Sequence, residues 1–149
     1  LSEAYRARQF QIIENAKRLS NNLMDLGYDV LTGGTDNHMI LINISNFREA
    51  LTGLTAQKCL EDCGIIINMN RLPFDTKNPR LTSGIRLGTP IVTKKGMGPE
   101  EMDRIAVLID AVLKSVNVIS SRDYEIKKSF GDNIRDKVRQ LCTKFPMDE

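Results

Sequence analysis

Thr82-Ser83-Gly84-Ile85-Arg86-Leu87-Gly88-Thr89-Pro90 is the stretch on which the reading of this chain turns. In an extended strand, successive side chains point to opposite faces. Ile85 and Leu87 therefore share one face, which is apolar and anchored. Gly84, Arg86 and Gly88 share the other. Two glycines beside one arginine remove the neighbouring side chains and leave an open slot around a guanidinium. That planar fork of donors matches a carboxylate or a phosphate in a two-point grip. By geometry, Arg86 is either an anion receptor or a solvent-facing arginine paired with a nearby acid such as Asp75.

Working outward, residues 84–92 read as a third strand, after two buried ones. The first is Met39 to Ile44, a short β-branched run, and the second is Ile65-Ile66-Ile67. A short extended piece, Tyr28 to Leu31, precedes them. Residues 2–26 form a long helix, with Tyr5, Phe10, Ile13, Ala16, Leu19, Leu23 and Leu26 at spacings of mostly three and four, and Gly27 as its stop. Gly53-Leu54-Thr55 opens a second helix, with Thr55 as N-cap and Leu54 packing on Cys59, and Gly64 closes it. Gly98-Pro99-Glu100-Glu101 starts a third, whose stripe is Met102, Ile105, Ala106, Ile109, Val112, Leu113 and Val116. A last amphipathic segment starts near Asp132, carries Ile134, Val138, Leu141, Cys142 and Phe145 on one face, and ends at Pro146. Residues 68–83 are a long irregular stretch, of a kind that is often functional. Helices and strands alternate, so the fold class is α/β, an α+β two-layer sandwich. Residues 1–149 read as one domain, with 117–149 as a terminal helical extension.

Composition narrows the function. The chain has 149 residues, 41% of them hydrophobic and 27% charged, enough for one domain with its own core. Its net charge of +2 is spread out, so no nucleic-acid partner is expected. No run approaches the roughly 18 apolar residues that a membrane span needs, and no signal peptide is visible. Cys59 and Cys63 lie one helical turn apart and read as small buried hydrophobes in a reducing compartment, with no metal site. His38, the single histidine, has no acid–nucleophile arrangement and reads as structural. Gly33-Gly34-Thr35-Asp36-Asn37-His38 reads as a turn whose polar groups satisfy the entry to the first strand and a domain junction. Gly84 and Gly88 do not make a phosphate loop, since no Lys-Ser or Lys-Thr follows. The exposed pair Lys94-Lys95 has no assigned role. The chain opens at Leu1 without an initiator Met, which suggests a fragment or an excised domain.

Five elements together carry a resemblance: the Gly33 to His38 run, Leu51-Thr52-Gly53, the Asn68-x-Asn70 pair, Pro73-x-Asp75 and the Thr82 to Pro90 string. In this order and at these spacings the chain resembles the C-terminal domain of serine hydroxymethyltransferase, from the first helix to about Val116. The resemblance implies the small C-terminal domain of an aminotransferase-like, fold type I enzyme dependent on pyridoxal 5'-phosphate. It implies interconversion of serine and glycine with tetrahydrofolate as one-carbon carrier. It also implies a cytoplasmic protein that pairs as a homodimer or tetramer. The Schiff-base lysine belongs to the family's large domain, so no catalytic residue is expected in this chain, which alone is expected to be inactive. Arg86 falls on the residue that binds the substrate carboxylate. Asn70 falls on a residue beside the pteridine, and Pro79 on part of the folate site.

Three positions depart from the family pattern. Met69 stands where a Lys is expected, and Asn78 and Arg80 stand where Ser and Phe are expected around Pro79. They leave the amino-acid pocket intact and alter the folate side. Two other readings fit the same residues. One is a folate-independent aldolase acting on β-hydroxy amino acids. The other is a stand-alone amino-acid-binding module.

Overall fold

The computed structural model describes residues 2–146. Helix α1 (Glu3–Asp25) is capped by Ser2, whose hydroxyl accepts from the Tyr5 N–H, and Gly27 ends it in the left-handed region, φ 95°. Its apolar stripe is buried only from Ile12 onward; Tyr5 and Phe10 stand exposed, since no described residue covers the first turns.

Strands β1 (Asp29–Val30) and β2 (Met39–Asn43) follow, then the one-turn helix α2 (Ile44–Phe47) and helix α3 (Gly53–Asp62). The N-cap of α3 is Thr52, not Thr55. Thr55 N–H donates to Thr52 Oγ1 at 3.1 Å, and Thr52 N–H donates to Thr55 Oγ1 at 3.0 Å. This is a capping box with Thr in the place usually held by Glu or Gln, which hid it from the sequence pattern.

The second strand is not Ile65–Ile67 but β3 (Asn68–Asn70). Ile65 N–H is still bonded to the Leu60 carbonyl at the end of α3, and Ile66 lies 84% exposed. The isoleucine run has strand propensity but pairs with no strand. The strand expected at 84–92 stops early: β4 (Gly84–Gly88) gives way to helix α4 (Pro90–Lys94), with Pro90 pre-setting the first turn. Helix α5 (Pro99–Ser115) starts where expected, and Gly98 N–H donates to Glu101 Oε2.

The terminal extension is not wholly helical. It begins with a hairpin, β5 (Asn117–Val118) and β6 (Tyr124–Glu125). Helix α6 (Lys128–Lys144) then starts one turn earlier than Asp132. Tyr124 Oη and Arg135 Nε both donate to Asp62, on a side-chain oxygen and the carbonyl respectively, and tie this extension to the end of α3. Residues 147–149 lie outside the described residues.

The four main strands form one antiparallel sheet, order β1-β2-β4-β3. Val30, Ile40, Ile42, Ile85 and Leu87 turn to one side and join Leu19, Leu23, Leu60, Met102, Ile109 and Leu113 in a single core. Helices α1, α3 and α5 supply that layer. The fold is therefore mixed α/β in two layers, with helices on one face of the sheet. Cys59 and Cys63 are both fully buried in the core.

Candidate functional site

The strand register determines what surrounds Arg86. Directly opposite residues of an antiparallel pair lie on the same face. Leu41 pairs with Arg86 from β2, and Asn68 pairs with it from β3. One row along, Asn43 and Asn70 flank Gly84, and in the other direction Met39 lies opposite Gly88. Arg86 thus stands on the face away from the helices, with two asparagine amides on its β3 side. The structure brings Arg86 and Asn70 to one face.

Arg86 is paired on both sides within the sheet, which places it at the centre of this face. Its guanidinium is exposed and makes no ion pair or hydrogen bond with any described side chain. The alternative pairing with Asp75 does not occur. Asp75 turns into its own loop, accepting from Ser83 Oγ at 2.7 Å, Ser83 N–H at 2.8 Å, Lys77 N–H at 3.0 Å and Leu72 N–H at 3.3 Å. Partial burial by itself raises the Asp75 carboxyl pKa. The bonds from Ser83, Lys77 and Leu72 outweigh that and hold it down, to about 2. Arg86 is left free to meet an anion from outside.

The slot around Arg86 is narrower than two flanking glycines suggest. A Cβ on Gly84 would lie 2.3 Å from Leu72 Cδ2 and 2.8 Å from the Asn70 carbonyl. Leu72, in the loop after β3, already fills that place. On the Gly88 side a Cβ would meet only ordinary contacts at 3.7 Å, so the opening lies there. Sequence reasoning could not foresee Leu72, because it reaches Gly84 only through the loop's fold.

Asn70 donates its amide N–H to the Arg71 carbonyl at 2.7 Å, so its side-chain oxygen remains available as an acceptor. Met69 pairs with Ile85 and so faces the helices. The charge lost by having Met there is therefore not lost from the Arg86 face. Gln57 Oε1 accepts from Met69 N–H at 2.7 Å and holds the outer edge of β3 to α3.

Pro79 is not on the sheet. It sits in an exposed turn in which Asn78 O accepts from Leu81 and Thr82, and Asn78 Oδ1 accepts from Arg80 N–H. The turn is docked on α3, with Gly53 N–H donating to Thr82 O and Leu54 N–H to Leu81 O. Gly53 has to be glycine for this, since a Cβ would lie 2.0 Å from Thr82 Oγ1 and 2.3 Å from Gly84 O.

A family model described as Serine hydroxymethyltransferase matches residues 1–109 of the chain. The chain belongs to the serine hydroxymethyltransferase family. The match spans the whole four-stranded sheet and helices α1 to α4, and ends within α5. In this family member, the Gly33 to His38 run forms the entry to β2. Asn37 Oδ1 accepts from Met39 N–H and Thr35 Oγ1 donates to Met39 O, while the exposed His38 contributes its carbonyl to Thr89 N–H. An apolar cavity of about 170 Å³, lined by Leu87, Val92, Ile105, Val138 and Leu141, lies on the helical side, away from Arg86.

No lysine shares the Arg86 face, whose residues on the four strands are Asp29, Met39, Leu41, Asn43, Asn68, Asn70, Gly84, Arg86 and Gly88. The residues present do not fit pyridoxal phosphate, whose reaction needs a lysine to carry it. The exposed guanidinium of Arg86 is a planar donor fork of the kind that matches an anion.

Proposed function

We propose that this chain is the small C-terminal domain of a pyridoxal-phosphate-dependent hydroxymethyltransferase that interconverts serine and glycine, and that Arg86 receives the substrate's α-carboxylate. The observation that carries this is an exposed guanidinium, fixed in the middle of the sheet and unpaired among the described residues. A two-point grip on the carboxylate orients the amino acid without taking part in bond making, and orientation is a large catalytic contribution. The cofactor and its lysine lie outside these residues, so the chain by itself is catalytically silent.

Arg86→Ala in the complete enzyme lowers kcat/KM for serine by roughly 10²–10³, or about 3–4 kcal/mol of lost transition-state binding. Efficiency within a few-fold of the parent rejects the carboxylate role.

Tetrahydrofolate is the proposed one-carbon carrier, with Asn70 beside the pteridine and Pro79 on its flanking turn. The free Asn70 oxygen on the Arg86 face supports this. Arg80 and Asn78 on the exposed turn favour the alternative, a folate-independent aldolase for β-hydroxy amino acids. Measuring serine cleavage with and without tetrahydrofolate separates the two. The same reading carries with it a cytoplasmic homodimer or tetramer, and serine and glycine as its small-molecule partners.

A further inference from the structure

Strand β3 grips β4 only from Gly84 to Arg86, where Asn70 and Asn68 are the end partners. Arg86 is the last residue of β4 held from both sides. Beyond it, Leu87 and Gly88 pair with β2 alone, and the chain then turns away into α4. Within the sheet, this end is held from one side only.

A buried polar network also holds it. Thr89 is fully buried and pinned at three atoms. Its N–H donates to His38 O at 3.2 Å, its Oγ1 to Ile12 O at 2.8 Å, and its carbonyl accepts from Thr93 Oγ1 at 2.7 Å. Thr93 Oγ1 in turn accepts from Asn15 Nδ2 at 2.9 Å. Asn15, also fully buried, gives its other N–H to Met97 O at 2.9 Å, and its Oδ1 accepts from Gln11 Nε2 at 2.9 Å. Both N–H groups and the oxygen of the Asn15 amide are engaged. A satisfied amide in an apolar core has one arrangement open to it, because any shift leaves a buried polar group unpaired. The chain of bonds therefore holds the far end of the Arg86 strand against α1 at a fixed position.

We propose that Asn15, Thr89 and Thr93 are positioning residues for Arg86: they hold the end of β4 that β3 does not reach and so aim the guanidinium at the substrate carboxylate. The proposal rests on the carboxylate role of Arg86. All three are buried, so their effect on the substrate is through Arg86. Misplacement of a reacting or binding group by a fraction of an ångström is enough to be felt in a two-point grip.

The test uses the complete protein and two probes, glycine and glycinamide, which differ in the charge that Arg86 reads. Dissociation constants from titration calorimetry give the preference for the carboxylate. Arg86→Ala collapses that preference if the carboxylate role is right; if the preference survives Arg86→Ala, it is that role that fails. Given the collapse, Thr93→Val and Thr89→Val each lower the preference by about tenfold, and Thr93→Ser restores it. Both valine variants are near-isosteric, and Thr93→Val leaves the bond from Asn15 to Met97 O in place, so folding is checked by the thermal midpoint. A purely structural role lowers the midpoint and weakens both probes alike. The positioning proposal is overturned if the valine variants keep the parent preference, or if Thr93→Ser loses it as far as Thr93→Val does.

Discussion

Ile85 and Arg86 are neighbours in β4, and they stand on opposite faces of one sheet. Ile85 meets Ile42 across β2 inside the core; Arg86 meets Leu41 and Asn68 in the open. The buried face is made of residues that any tightly packed β-branched side chain could replace at modest cost. The open face carries Arg86, whose worth lies in being left unpaired among the described residues. Stability is concentrated on one face and recognition on the other, and the pleat of the strand keeps them one residue apart.

The comparison breaks most severely at Gly53, where the α3 start touches the residue that opens β4. Gly53→Val places side-chain atoms within contact distance of Thr82 Oγ1 and the Gly84 carbonyl. We expect a loss of about 4 kcal/mol or more, seen as a chain that lacks a cooperative unfolding transition by circular dichroism.

Next come the neighbours themselves. Ile85→Ala removes a fully buried side chain and costs ~2–5 kcal/mol in urea unfolding. Arg86→Ala changes stability by less than about 0.5 kcal/mol, as expected for a surface side chain without partners. Equal losses for the two variants remove the distinction between the faces.

The smallest effect concerns the loop that joins β3 to β4. The Asp75 carboxyl is held at about 2, below its ordinary value, so its tether to Ser83 is complete above about pH 4. As pH falls through about 2 the carboxylate is protonated and the tether is lost; the contribution has the sign of a depressed acid. Following the Ser83 amide by NMR from pH 6 to pH 1.5 gives a midpoint near the lower value, and a midpoint near 4 shows that the tether is absent.

Much of the helical layer was legible, because a period of 3.6 residues is a local property: α1 and α5 lie within a residue or two of where their patterns put them, and α3 differs in its N-cap by three residues. So was the two-faced character of β4, a period of two. Two departures in the sheet share one cause. Ile65 to Ile67 look like a strand and find no partner; residues 68–70 look like a loop and pair with β4. Pairing is a relation between distant segments, and no single stretch contains it.

The sequence by itself therefore determined the family, the two-layer class and Arg86 as a guanidinium on the open side of a strand, since each rests on neighbouring residues. Only the tertiary structure decided that Asn68, Asn70 and Leu41 surround Arg86, that Leu72 closes one side of its slot, and that Asp75 belongs to Ser83. It alone also revealed that Asn15, a polar residue in the first helix, reaches across to Thr93 at 2.9 Å and holds the end of the strand. These are outcomes of register and packing, in which residues far apart along the chain must satisfy one another's hydrogen bonds and volumes at once.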